Sequence, residues 1–235
     1  MISTEQIVKK PVKIDFHIHS AASAHKDGTK VKDGTLENID TLFDKLEANK
    51  VNMAAITDHD AFDYELYDAL RNKTEDAKFL QRVLPGVEFT VSFKTSTGSK
   101  AVHVVTLFDD GDQEVVKRIN SAIPCKDGKP DYDEGEAFSE DKYWNIIRAI
   151  GLDIVTIAHQ KASPGSAQTR KNDANSVGEK LYNEFLFVDY FEAYEYKNRR
   201  NELFNKNYTY SNDQQERLRF ITGSDCHVWS AYPNY

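Results

Sequence analysis

The chain has 235 residues, of which 40% are hydrophobic and 11% aromatic, enough to bury the core of one large domain. That composition excludes a disordered protein, and no apolar stretch approaches the roughly 20 residues that cross a bilayer. The 30 basic and 38 acidic side chains leave a net charge of −8, so the chain as a whole is not a basic surface that binds nucleic acid by charge alone.

Predicted strands and helices alternate from the N-terminus. Lys13–Ser20 alternates apolar and polar residues, which predicts a strand with one polar face. Apolar residues at helical spacing predict a helix from Thr35, and Val51–Thr57 is a short apolar strand. A second helix is predicted over Thr74–Val83, before Pro85.

The middle of the chain begins with two strands, Gly86–Phe93 and Ala101–Phe108, both rich in Val, Phe and Thr. A helix is predicted over Gln113–Ile123, and another runs from an N-cap at Ser139 to Ile150. Between these helices, residues 124–138 are polar and are predicted to form an excursion from the fold.

The last third continues the alternation. Its predicted elements are the strand Asp153–Ala158, a polar loop over 161–176, the helix Val177–Phe187, the strand Val188–Glu195, the helix Asp213–Arg219 and the strand Phe220–Gly223. Seven strands, mostly separated by helices, predict a single α/β domain over residues 1–235 with a largely parallel sheet that could close into a barrel. In such folds the chemistry lies at the C-terminal ends of the strands, so the loop 161–176 is expected on the active-site face.

The seven histidines fall at one rim of this predicted fold. Those at or just beyond strand ends are His17, His19, His59, His159 and His227. His103 lies within a strand, and His25 lies in the loop after the first strand. Two histidines spaced by two on a strand share a face and can chelate one ion, although a merely polar sheet face is the alternative for His17 and His19.

Two carboxylates extend this pattern. Glu88 lies inside an apolar strand, where it must be paired, protonated or bound to a metal; a salt bridge to a lysine is the alternative. Asp225 and His227 repeat the spacing of two near the end of the chain. The first and last strands of a closed barrel are neighbours, so this pair and the pair His17 and His19 could meet.

In their order along the chain, these residues resemble the motifs of the PHP phosphoesterases, a family named for its occurrence in DNA polymerases and histidinol phosphatase. The motifs are DFHIHS at 15–20, ITDHD at 56–60, PGVEF at 85–89, HVV at 103–105, IAH at 157–159 and GSDCH at 223–227. They cover essentially the whole chain, and their order is far more specific than any single motif. The resemblance implies a distorted seven-stranded (β/α)7 barrel.

The resemblance also implies two or three divalent ions of zinc, manganese or iron. The implied ligands are His17, His19, Glu88 and Asp225 for the first ion, Glu88, His103 and His159 for the second, and His25, His59 and His227 for the third. Imidazoles with a few carboxylates suit all three metals. His25 lies in the loop AASAHKDG, where a solvated surface histidine is the alternative.

The activity implied is hydrolysis of phosphate esters by a metal-activated water, of a nuclease type or directed at nucleotides. The candidate catalytic residues are Asp58, His59, Glu88 and Asp225. Asp58 could orient ligands or relay protons, or could equally be a turn and cap residue. The alternatives are a small-molecule phosphate monoesterase of histidinol-phosphatase type and a non-catalytic regulatory domain braced by metals. Metal-dependent amidohydrolases are a rival class, but they commonly bridge their metals with a carbamylated lysine, where this chain offers Glu88.

Basic residues in two rim loops are candidates for binding the substrate, which could be DNA, RNA or a nucleotide. They are Lys161, Arg170 and Lys171 in the loop 161–176, and Lys197, Arg199 and Arg200 after the strand that ends at Glu195. For each of them, a solvated surface position is the alternative.

The ends of the chain carry two further expectations. Its opening, its EYKNRRN segment and its SDCH ending resemble PHP domains that precede an ATPase domain, so the chain is expected to be the N-terminal part of a larger protein with a C-terminal ATPase region. The absence of a signal-peptide pattern and the two scattered cysteines, Cys125 and Cys226, predict a cytoplasmic protein that contacts no membrane.

Overall fold

A computed structural model of the chain describes residues 12–96, 98–159, 191–195 and 220–233. The strands in this part are β1 Ile14–Ile18, β2 Met53–Ile56, β3 Arg82–Val83, β4 Gly86–Thr95, β5 Gly98–Phe108, β6 Cys125–Lys126, β7 Lys129–Pro130, β8 Phe138–Ser139, β9 Ile154–Ala158, β10 Ala193–Glu195 and β11 Phe220–Ile221. The α-helices are α1 Ala24–Asp27, α2 Ile39–Ala48, α3 Tyr64–Asn72, α4 Gln113–Val116, α5 Ile119–Ala122 and α6 Glu140–Ile150.

The strands form two main sheets. One has the order β1-β2-β3 and the other the order β11-β10-β9-β5-β4-β8, while β6 and β7 pair as a hairpin. Strand β5 runs antiparallel to both β4 and β9, whereas the other pairs in the two main sheets are parallel. The sheet is therefore more mixed than predicted, because a short turn without a helix joins β4 to β5 and permits only antiparallel pairing.

Two isolated β-bridges join the two main sheets. Ile18, at the end of β1, pairs with Cys226, and His59, after β2, pairs with Glu88 in β4. These bridges bring the histidine pair at the start of the chain beside Asp225 at its far end. The closed seven-stranded barrel itself stays a prediction.

The hydrophobic core lies between the sheets and the helices. Helix α2 buries Ile39, Leu42 and Leu46 at helical spacing. A second, smaller cluster gathers side chains of β2, β5, β9 and β10, namely Ala55, Val105, Leu107, Ile157 and Ala193. Each fully buried large aliphatic side chain contributes about 1.5–3 kcal/mol to folding. Side chains on both faces of β5 therefore pack in apolar clusters, and this packing holds the strands whose ends carry the polar residues.

The helix predicted over Thr74–Val83 is wrong. The helix in this region is α3, whose N-cap Asp63 accepts hydrogen bonds from the backbone N–H groups of Glu65 and Leu66 at 3.0 and 3.1 Å. Residues 78–80 are not helical because the carboxylate of Glu47 accepts their three backbone N–H bonds at 2.7–3.0 Å.

The prediction for α6 is confirmed. Ser139 caps it through a bond from the N–H of Lys142 at 3.2 Å, and Gly151 ends it with a φ of 75°. The helix predicted over Gln113–Ile123 is instead two single turns, α4 and α5, and the polar excursion 124–138 contains the β6–β7 hairpin. The loop 161–176 and the helices predicted over Val177–Phe187 and Asp213–Arg219 lie outside the described residues. No helix in the described ranges is long and apolar enough to cross a membrane.

Candidate metal centre

Imidazoles and carboxylates from distant parts of the chain converge where the strands end. Eight of the nine predicted metal ligands take part, together with Asp27. We call these nine residues the metal-centre cluster: His17, His19, Asp27, His59, Glu88, His103, His159, Asp225 and His227. The β-bridges described above place β1, the segment after β2, β4 and the segment after β11 side by side, which is why the cluster can form.

Glu88 stands in the middle of the cluster and is 1% exposed. Its Oε2 lies 2.9 Å from His59 Nδ1, 3.3 Å from His17 Nε2 and 3.4 Å from His19 Nε2, and its Oε1 lies 3.0 Å from His103 Nδ1 and 3.7 Å from His159 Nδ1. A carboxylate with imidazoles around both oxygens has the arrangement that a ligand shared between two ions requires.

Four groups of donor atoms are close enough to share an ion. They are His17, His19 and Asp225; His17, Glu88 and His159; His59, Glu88 and His103; and His19, Asp27, His59 and His227. In each group the donor atoms lie within 4.8 Å of one another. Histidine with a few carboxylates is a donor set suited to zinc, manganese and iron.

Asp27 occupies the place expected of His25. Its Oδ1 lies 3.2 Å from His227 Nε2 and 3.7 Å from His59 Nε2, whereas His25 belongs to none of the four groups. The physical reason is local: both residues lie on the single turn α1, where a separation of two residues turns the side chain by about 200°. The acidic residue was visible in the motif AHKD, but the family resemblance pointed to the histidine.

The hydrogen-bond inventory shows that these residues fit a metal. Among the described residues, ten buried side-chain nitrogen and oxygen atoms make no hydrogen bond, and eight of them belong to the cluster. They include both oxygens of Glu88 and both ring nitrogens of His19. Buried polar atoms are ordinarily paired, so such a concentration at one place indicates donors arranged for ions.

The electrostatics favour the metal-binding form of five donors, Glu88, Asp225, His19, His59 and His103. Burial acts to raise the pKa of Glu88, but the imidazoles of His59, His103 and His17 hold it well below its usual value. Burial acts to raise the pKa of Asp225 as well, but the nearby imidazoles of His19 and His17 lower it. Burial lowers the pKa of His19, His59 and His103, which favours the neutral imidazole. By contrast, the carboxylates beside His17 and His227 outweigh burial and raise the pKa of both imidazoles.

Glu195, which the sequence analysis missed, orients two of the imidazoles. Its Oε2 lies 2.9 Å from His17 Nδ1 and 2.7 Å from His159 Nδ1. Burial acts against ionisation, but the charges of both histidines lower the pKa of Glu195 to about 2. With Nδ1 engaged, each ring is left with Nε2 unpaired, as a ligand to a metal requires. The signal was present, because Glu195 ends a predicted apolar strand.

The acidic residues beside His59 fix loops. Asp58 accepts bonds from the N–H and Oγ of Ser20, both at 2.5 Å, and burial raises its pKa. Asp60 accepts from the N–H of Thr90 at 2.7 Å, from its Oγ1 at 2.9 Å and from the Tyr132 hydroxyl at 2.7 Å. The carboxylate of Asp58 therefore holds the loop before α1, next to His19, which acts on its pKa.

A basic side chain adjoins the cluster. Lys26 donates to Thr90 Oγ1 at 2.6 Å, and its Nζ lies 3.1 Å from His103 Nε2. A cavity of about 630 Å³ has His25, Asp60 and Phe62 in its wall. The six basic residues predicted to bind the substrate, Lys161, Arg170, Lys171, Lys197, Arg199 and Arg200, all lie outside the described residues.

Comparisons with known proteins bear on the fold alone. No protein-family model matches the chain, and no curated protein matches it. The chain is similar to a solved amidohydrolase from Chromobacterium violaceum, described with bound sulfate and no metal, at 16% identity over 92% of this chain and 88% of that chain, with a TM-score of 0.52. It also aligns with PsfC from Pseudomonas syringae PB-5123 at 14% identity over 92% of this chain and 76% of that one, but the TM-score of 0.43 is too low to argue from.

Proposed function

We propose that this chain is a metal-dependent phosphoesterase, directed at nucleic acids or nucleotides. One observation carries the proposal: eight buried donor atoms, on His17, His19, Asp27, His59, Glu88 and His159, make no hydrogen bond, and they converge from segments far apart in the sequence. Ions are the partners that such atoms require. The four groups share members, so together they match two or three divalent ions of zinc, manganese or iron.

The chain's own residues divide the work of holding these ions. His17, His19 and Asp225 would hold one, Glu88, His103 and His159 would hold a second, and Asp27, His59 and His227 would hold a third. Ions bound there supply an activated water and Lewis-acid stabilisation of the phosphoryl oxygens. Glu195 fixes the rings of His17 and His159, so that the ligands keep one geometry while the substrate binds and leaves.

Two features favour phosphate esters over amides as substrates. The ordered motifs resemble those of phosphoesterases, and the position between the ions belongs to Glu88. No lysine is buried among the residues described. Amide hydrolysis is the second candidate, because the similar structure from Chromobacterium violaceum is an amidohydrolase.

The proposal is tested by assaying the manganese-loaded protein against five substrates: p-nitrophenyl phosphate, its bis ester, mononucleotides, end-labelled single-stranded DNA and a p-nitroanilide. Cleavage of the bis ester or stepwise shortening of the DNA supports a nuclease-type enzyme, and release of phosphate from monoesters alone supports the small-molecule phosphatase. Cleavage of the anilide alone, or tight metal binding without any turnover, contradicts the proposal.

A matched pair of variants connects the activity to the cluster. His19→Ala and Asp225→Ala remove ligands that no other described group replaces, so each is expected to abolish turnover while circular dichroism stays unchanged. Asp141→Asn changes an exposed carboxylate on α6 and should leave the activity as it is. Retained activity in both cluster variants would exclude this site.

A further inference from the structure

Lys26 lies on the same helical turn as Asp27, at the edge of the metal-centre cluster. Its ammonium donates to Thr90 Oγ1, and the Thr90 hydroxyl donates in turn to Asp60. Asp60 also accepts from the Tyr132 hydroxyl, which belongs to the excursion 124–138. This chain of bonds holds Nζ beside the cluster independently of the bond to His103.

The contact between Lys26 and His103 depends on the tautomer of the imidazole. Nδ1 of His103 faces Glu88 Oε1 at 3.0 Å, and Nε2 faces the Lys26 ammonium at 3.1 Å. A neutral imidazole has one N–H and one lone pair. While the ring proton is on Nδ1, which faces Glu88, Nε2 can accept a bond from Lys26.

With an ion held on Nδ1, His103 would reverse these roles. The imidazole would bind the ion through its Nδ1 lone pair, so the ring proton would be on Nε2, which could then donate but not accept. The ammonium of Lys26 would lose that acceptor, while Thr90 Oγ1 still holds it in place. A positively charged N–H donor would then be exposed at the rim beside the ions.

We propose that Lys26 binds a nonbridging oxygen of the substrate's phosphoryl group, and that metal occupancy of His103 frees it to do so. The inference rests on the proposed function and adds a residue to it. Charge-assisted bonds from an ammonium to phosphate oxygens are among the stronger hydrogen bonds in proteins. Lys26 would therefore raise the affinity for phosphate in the metal-loaded protein and contribute little without metal.

Inorganic phosphate is the probe that tests this coupling. Isothermal titration calorimetry compares the wild type with Lys26→Gln, each metal-free and loaded with manganese. In the loaded protein we expect Lys26→Gln to weaken phosphate binding by about tenfold or more. In the metal-free protein the two should bind phosphate equally weakly. Lys26→Arg should retain part of the affinity, because it keeps the charge.

The control is Lys30→Gln, which removes an exposed lysine from the next turn of the chain and should change neither state. Metal content of every variant is measured by mass spectrometry, so that a lost ion is not mistaken for a lost phosphate ligand. Unchanged phosphate affinity in loaded Lys26→Gln overturns the inference but not the proposed function, provided that esters are still cleaved. If Lys26→Gln loses phosphate affinity equally with and without metal, metal occupancy of His103 does not control the binding by Lys26. A wild type that binds no metal overturns both.

Discussion

The orientation of single side chains decides whether the centre can bind metal. His17 and His159 are both held at Nδ1 by Glu195, and both leave Nε2 unpaired. Six of the seven histidines, Glu88 and Asp225 could be identified from residue type and motif order in the sequence. Asp27 and Glu195 could not be assigned that way, because their roles depend on which way a one-turn helix and a three-residue strand face.

Replacing Glu195 by Gln should weaken metal binding by about 10–100-fold, the usual effect of losing a carboxylate that orients a ligand. Gln can accept from one imidazole, but it lacks the charge and turns an N–H toward the other. The affinity is measured by competition with a chromophoric chelator. Glu136→Gln, an exposed change on the excursion, is the control. Equal affinities in the two variants would show that Glu195 does not orient these rings.

Gly223 permits the approach of Glu195 to His17. A Cβ at residue 223 would collide with Glu195 Oε1 and would lie 2.6 Å from His17 Cβ. Gly223→Ala should therefore lower the free energy of unfolding by about 1–3 kcal/mol, the range for overpacking a filled site, and should also weaken metal binding. Urea unfolding measures the first effect. Gly111→Ala, which meets only the movable side chain of Asp109, should be tolerated, and equal effects of the two would contradict this account.

The elements were predictable where their signals are local. Helix α6 has its cap, its apolar spacing and its terminal glycine within the segment, so the sequence was sufficient. The helix predicted over Thr74–Val83 failed because Glu47, more than thirty residues away, takes the backbone N–H groups of residues 78–80. The spacing of apolar residues within one segment cannot predict a hydrogen bond to such a distant residue.

The same contact gives α2 and the segment before β3 a pH-dependent link. Burial acts to raise the pKa of Glu47, but the three backbone N–H bonds outweigh it and lower that pKa. A folded-state pKa below the unfolded value of about 4.3 gives stability that is present above that value and is lost as the pH falls through the folded pKa.

Glu47→Gln should therefore lower the unfolding free energy by about 1 kcal/mol at pH 7, since a charged acceptor is replaced by a neutral one. Below about pH 4.5 the variant should also lose less unfolding free energy than the wild type does. Urea unfolding at pH 7 and pH 3.5 measures both. Glu75→Gln, on the exposed turn 73–76, serves as the control. A pH dependence identical to that of the wild type would show that the Glu47 bonds do not contribute.

At the scale of the whole molecule, the first and last motifs meet. The bridge between Ile18 and Cys226 sets His17 and His19 beside Asp225 and His227, although more than 200 residues of chain separate the two pairs. The α/β alternation and the positions of the seven strands were predictable from periodicity and turn residues. The antiparallel course of β5 was missed, although the short turn before it permits only antiparallel pairing with β4. Closure of the strands into a barrel stays a prediction.

The most direct test of this account is a crystal structure of the protein soaked in manganese, with anomalous scattering measured at the metal edge. We predict two or three anomalous peaks within the metal-centre cluster, at least one of them bonded to Glu88 and one to His17, His19 and Asp225. A well-ordered structure without a peak beside Glu88, at a manganese concentration that saturates binding in solution, would contradict the central claim.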